Sequence, residues 1–164
     1  MSRFLRKLLV FSLIPLLYFG VNGLINWHLI SKSSVDTEKA ELLIMGDSHL
    51  QKALDPNAFN KALSFAQESE PYVVTYWKLK KILANNDPNT IIIGFAPQNL
   101  SAFNDLKFSN DFWAAEMFKR TYPISNYGAI DTIVPIDYPT FYKVIWRQTG
   151  FFPRQNHKFY LGRV

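Results

Sequence analysis

Gly46-Asp47-Ser48-His49 gathers, in four residues, a flexible turn, a carboxylate, a hydroxyl and an imidazole. A serine hydroxyl can attack an acyl carbon when a base removes its proton and N–H groups hold the resulting oxyanion. A glycine before it permits a tight backbone, and Asp or Ser can cap a helix that follows. The plainer reading of the same residues is a strand, a glycine turn and a helix cap.

What precedes the turn favours a placed serine. Glu41-Leu42-Leu43-Ile44-Met45 is a short apolar run ending in glycine, the signature of a buried strand. A serine leaving such a strand lies at the carboxyl edge of a sheet, where open α/β folds bind ligands. Further along, Ala62–Ala66 reads as a second short strand. A helix follows, with Ser69 as its cap and Glu70 and Pro71 in its first turn. Tyr72, Tyr76, Leu79 and Leu83 form its expected apolar stripe, and Lys78, Lys80 and Lys81 its outer positions. Thr90-Ile91-Ile92-Ile93-Gly94-Phe95 is β-branched and unalternating, as expected of a strand buried on both faces. Strand, helix and strand with short joints predict a βαβ crossover and a parallel sheet. Asp55-Pro56 is an N-cap followed by a proline at the first helical position. Beyond Asn99, helices are expected over 114–120 and 138–148, and no fourth or fifth parallel strand is evident.

The N-terminal 30 residues are of another kind. Between Lys7 and Lys32 there is no Lys, Arg, Asp or Glu, and Leu8–Ile30 is dominated by Leu, Ile, Val and Phe. That length crosses a hydrocarbon core of about 30 Å. Arg3, Arg6 and Lys7 precede it, so the positive-inside rule places the N-terminus in the cytoplasm. Trp27 and His28 then lie near the far interface. The apolar run is too long for a signal-peptide core, and Gly20-Val21-Asn22-Gly23 is a poor cleavage site, so an uncleaved signal anchor is expected. The domain plan is a cytoplasmic tip and anchor (1–31), a tether (32–40) and an extracytoplasmic domain (41–164).

Charge and composition fit that plan. Of the net +5, the first seven residues carry +3, and residues 138–164 carry five cations and no acid. The pI of 9.4 thus reflects two basic ends. With no cysteine there are no disulfide staples or zinc–thiolate sites, and a hydrophobic core must hold the domain together. No metal site or cofactor loop is signalled: His/Asp clusters at ligand spacing and glycine-rich phosphate loops are both missing. The C-terminal cations alternate with Tyr138, Phe141, Tyr142, Trp146, Phe151, Phe152, Phe159 and Tyr160. Cations with aromatics suit nucleic acid, but an extracytoplasmic address excludes it as a partner and favours anionic headgroups or an acidic glycan. An amphipathic helix packing its aromatics into the core, or covering the site, is the other reading, and both stay open.

Residues 41–101 resemble the SGNH/GDSL hydrolase family, in particular membrane-anchored bacterial members linked to envelope-polysaccharide modification. Gly46-Asp47-Ser48 matches the first block, which implies Ser48 as nucleophile with its own N–H as an oxyanion donor. In the second block Ala66 stands where the family has glycine, implying a second backbone donor. In the third, Gly94-Phe95-Ala96-Pro97-Gln98-Asn99 offers Asn99 as side-chain donor, with Asn104-Asp105 as its rival. The resemblance implies a three-layer, flavodoxin-like α/β domain in a bacterial inner membrane. Its activity would be ester hydrolysis or O-acyl transfer on acylated envelope polysaccharide. The family's Asp-x-x-His has no counterpart. His28 is at the membrane boundary, His49 adjoins Ser48 and diverges from it, and His157 follows Arg154-Gln155-Asn156. A C-terminally truncated hydrolase, lacking its last strands and its base, is therefore expected. The alternative is a non-catalytic anchored module that binds a glycan or the membrane surface.

Overall fold

The computed structural model describes residues 2–32, 40–131, 134–152 and 157–162. It is a mixed α/β structure with one long N-terminal helix, α1 (Ser2–Lys32), and a three-stranded sheet. The strands are β1 (Leu42–Met45), β2 (Ala62–Ser64) and β3 (Thr90–Ile93), all parallel, in the order β2-β1-β3. Helices α2 (Ser48–Ala53), α3 (Tyr72–Leu83), α4 (Ala102–Asp105), α5 (Ala114–Thr121) and α6 (Tyr138–Thr149) complete it. The tether expected at 32–40 falls mostly on residues 33–39, which lie outside the described residues, as do Arg154-Gln155-Asn156.

β1 is the centre of the sheet, and Leu43, Ile44 and Met45 are fully buried. The chain leaves β1 for β2 on one side and reaches β3 on the other through α3. The carboxyl ends of β1 and β3 thus form the switch point where α/β sheets open a crevice. Leu43, Met45, Phe65 and Ile82 make one core with Tyr160 and Leu161 of the C-terminal segment. A second core joins Val74 and Trp77 of α3 to Phe108, Met117, Phe118, Tyr127 and Val144.

Because α3 lies between these cores it has no single apolar stripe. Val74 and Trp77 face one and Ile82 the other, while Tyr76 and Leu83, placed in the stripe by periodicity, are largely exposed. Lys78, expected on the outer face, is completely buried. Its ammonium donates to Phe65 O (2.8 Å) and Gln67 Oε1 (3.3 Å) and pairs with the Glu70 carboxylate, which also accepts from Thr75 Oγ1 (2.7 Å). Three acceptors use all three ammonium donors, which is what lets a charge enter a core. Ser69 and Glu70 precede the helix instead of opening it: α3 starts at Tyr72 after Pro71 and has no side-chain cap. β3 is also less buried than its sequence implies. Within the described residues it is an edge strand, and Ile93 and Phe95 are exposed.

Other local signals hold. Asp55 accepts from Asn57 N–H to cap a single 3-10 turn that begins at Pro56. The helix expected over 138–148 is α6, and the structure adds its cap: Asp137 accepts from Thr140 N–H, with Pro139 in the first turn.

α1 is long and apolar enough to span a membrane, and residues 3–18 are exposed on every side. Its last third is docked. Phe19, Asn22, Gly23, Asn26 and Ile30, spaced at helical repeats, are the positions of α1 withdrawn from solvent. Phe19 packs on Trp146 (centroids 4.7 Å) and on Phe151 (5.7 Å). Buried Asn26 donates through Nδ2 to Thr149 O (2.9 Å) and Phe151 O (3.2 Å) and accepts through Oδ1 from His157 Nε2 (2.8 Å). α1 is therefore held to the rest of the chain by α6 and the tail.

Candidate functional site at the carboxyl edge of the sheet

Gly46 ends β1 with φ +146, a conformation open to glycine and rarely to other residues. A Cβ there would lie 3.2 Å from Gly94 N, so the two glycines let the exits of β1 and β3 approach. Asp47 follows as the N-cap of α2. One carboxylate oxygen, Oδ1, accepts from His49 N–H (2.9 Å) and lies 3.1 Å from His49 Nδ1. The other, Oδ2, accepts from Asn99 Nδ2 (3.0 Å). Asp47 thus ties the turn after β1 to the loop after β3.

Burial works to raise the Asp47 pKa, but the hydrogen bonds from His49 and Asn99 together outweigh it and hold the carboxyl below its ordinary 3.8. It is an ionised positioning group at neutral pH. Ser48, in the first turn of α2, is half-buried. Its N–H belongs to the helix-start donors that have no intrahelical acceptor, and no hydrogen bond occupies its Oγ among the described residues. Ser48, His49, Lys52 and Ala53 line an open concavity of about 470 Å³.

The structure brings Asn99, not Asn104, to Asp47. Asn104 is buried one layer behind and donates to Gln98 O (2.6 Å), so it props the loop that carries Asn99. Gln98 Nε2 lies 3.2 Å from His49 Nε2 across the mouth of the turn. Ala66 is placed differently. Phe65 and Gln67 N–H donate to Ile44 O and to Gly46 O just after β1, and strand alternation turns the N–H of Ala66 away from β1, to the edge where the Ala66 carbonyl approaches Gly162. The described geometry therefore joins Gly46, Asp47, Ser48 and Asn99 and leaves Ala66 apart.

None of the histidines is bonded to Ser48 among the described residues. His49 is exposed and turned toward Asp47 and Gln98. His157 is buried between two partners. Burial pushes the Tyr122 phenol up to about 12, so Tyr122 keeps its proton and donates to His157 Nδ1, while Nε2–H donates to Asn26. Burial also holds the His157 pKa below 6.5.

Sequence reasoning missed Lys107. It is buried, donates to Ser69 O (2.8 Å), and lies over the rings of Phe103 (5.0 Å) and Trp113 (5.7 Å). Burial lowers its pKa and the Arg120 charge lowers it further, while Asp47 is near enough to act the other way. The aromatics around it, Phe103 and Trp113, were the available signal. No group of three or more His, Cys, Asp or Glu able to hold a metal occurs among the described residues. No protein-family model, curated protein or solved structure matches the chain.

Proposed function

We propose that this chain is a membrane-anchored, SGNH-like serine ester hydrolase or O-acyl transferase whose substrate is an acylated envelope polysaccharide. The N-terminus is cytoplasmic and the α/β domain lies on the periplasmic side of a bacterial inner membrane. The observation that supports this reading best is the 3.0 Å bond from Asn99 Nδ2 to Asp47 Oδ2. It puts the asparagine side chain beside the Ser48 turn at the sheet's switch point, where an oxyanion donor is needed.

In this reading Ser48 Oγ attacks the acyl carbon and its proton passes to a base. The oxyanion is held by Ser48 N–H and by the amide hydrogen of Asn99 that Asp47 leaves unused. Collapse expels the sugar oxygen, which takes the proton from the base; water or a second hydroxyl then gives its proton to the base, takes the acyl group from Ser48, and the proton returns to Ser48 Oγ. Among the described residues His157 is not that base, because it is committed to Tyr122 and Asn26. Ala66 is not carried over as a donor, given the direction of its N–H.

A second reading, a non-catalytic anchored module, draws on the same commitment of His157. Serine-directed fluorophosphonate labelling of the full chain in vesicles separates the two. Labelling that disappears in Ser48→Ala supports the enzyme. A folded protein that takes up no probe leaves only the binding module.

A further inference from the structure

The docking of α1 fixes more than the position of an anchor. If α1 crosses a bilayer, its uncharged stretch must begin just after Lys7, and roughly 20 residues are needed to traverse about 30 Å of hydrocarbon. The far boundary then falls near Trp27. Phe19 lies eight positions before that boundary, so at about 1.5 Å per residue it sits about 12 Å inside the hydrocarbon. Yet Phe19 is the residue that touches Trp146 and Phe151, the end of α6 and the turn after it.

We infer that the Trp146–Phe152 end of α6 is inserted into the leaflet on the domain's side of the membrane, alongside α1, with the outer face of α6 at the headgroups. The partner is a lipid bilayer, and continuity with the spanning helix identifies it. The chemistry of the surface agrees. Phe152 is 76% exposed and Trp146 50%; Trp146 packs on Phe19 of α1, and Phe152 directly follows Phe151, which does the same. On the outward face of α6, Tyr142, Lys143 and Arg147 are exposed, an aromatic and two cations with no acid anywhere in residues 138–164. Aromatics with cations suit an interface rich in anionic headgroups. The backbone there is not left bare, since Asn26 Nδ2, next to the boundary at Trp27, satisfies the carbonyls of Thr149 and Phe151. The inserted end also holds the domain against the membrane.

This inference rests on the spanning helix of the proposed reading and not on any chemistry at Ser48. The chain has no cysteine, so single-cysteine spin labels need no background removal. Three variants of the full chain are made, Phe152→Cys, Leu16→Cys on the exposed part of α1, and Phe112→Cys, which is 79% exposed. They are reconstituted in vesicles of equal parts phosphatidylcholine and phosphatidylglycerol. Collision rates with oxygen, which concentrates in lipid, are compared with those of a water-soluble nickel chelate.

The expected result is an oxygen-to-nickel ratio at position 152 that approaches the ratio at 16 and exceeds the ratio at 112. A label at 152 as open to nickel as the one at 112 overturns the inference. So does a label at 152 shielded from both reagents, which means a protein contact. If the label at 16 is itself nickel-accessible, the spanning helix fails and the inference fails with it. A lipid-exposed label at 16 with a water-exposed label at 152 removes the inserted end alone.

Discussion

Two polar clusters lie just beyond the carboxyl ends of neighbouring strands, and they differ in what they leave unused. Beyond β2, Lys78 and Glu70 are sealed in, and Phe65 O, Gln67, Thr75 and the ion pair satisfy them. Beyond β1, Asp47 is also buried and bonded, but it holds up Ser48 and His49, which open onto a concavity, and Ser48 Oγ has no partner among the described residues. A polar group with every valence filled is structural, however charged it is. A half-buried hydroxyl beside a satisfied carboxylate is left open to whatever reaches the surface. Charge alone would have ranked the two clusters the other way round.

The largest effect that sharpens this contrast is expected at Lys78. Lys78→Met leaves the Glu70 carboxylate buried without its partner and should cost about 3–5 kcal/mol, read by thermal unfolding of the full chain in detergent. Replacing both partners, Lys78→Met with Glu70→Leu, should recover most of that loss. A single variant as stable as the parent would break the comparison, because the pair would then not be sealed.

Gly46→Ala comes next. It forces a Cβ into a φ of +146 and within 3.2 Å of Gly94 N, at an expected cost of about 1–3 kcal/mol. Fluorophosphonate labelling should fall with it, since the turn that presents Ser48 must shift.

Asn99→Ala removes one hydrogen bond, for about 1 kcal/mol of stability, and its informative readout is Asp47. The Asp47 pKa should move upward when the Asn99 amide is gone, as followed by carboxyl carbon NMR. An unmoved Asp47 would mean that the two strand exits are not coupled through this bond.

The smallest effects are those of pH, and their signs differ from ordinary surface titration. His157 is held below 6.5 in the folded chain, so as pH falls through 6.5 the unfolded chain takes up the proton first. Stability should therefore decline below about 6.5 until the folded imidazole also protonates. Asp47, held below 3.8, contributes stability above that pH and loses it as pH falls further. His157→Gln should flatten the first decline and leave the second in place.

Much of the frame was legible in the residues. Leu42–Met45 and Thr90–Ile93 were apolar runs bounded by glycine, Asp55-Pro56 marked a capped turn, and the charge-free stretch after Lys7 defined α1. These are local signals, set by propensity, capping and hydrophobic length. The interior of α3 was not legible, because a helix between two cores buries more than one face and periodicity points to only one. Lys78 looked like a surface cation because its acceptors, Phe65 O and Gln67, come from another element. The docking of α1 was hidden for the same reason. Asn26 in an apolar helix gives no hint that Thr149, Phe151 and His157 are its partners more than a hundred residues away.

At the candidate site the division is equally sharp. A serine on a glycine turn after a buried strand follows from adjacent residues, because steric freedom and capping are local properties. Contacts between distant elements chose Asn99 over Asn104, turned the N–H of Ala66 away from β1 and committed His157 to α1. Those outcomes depend on which backbone edges meet across the sheet and which side chains then fill one another's hydrogen bonds.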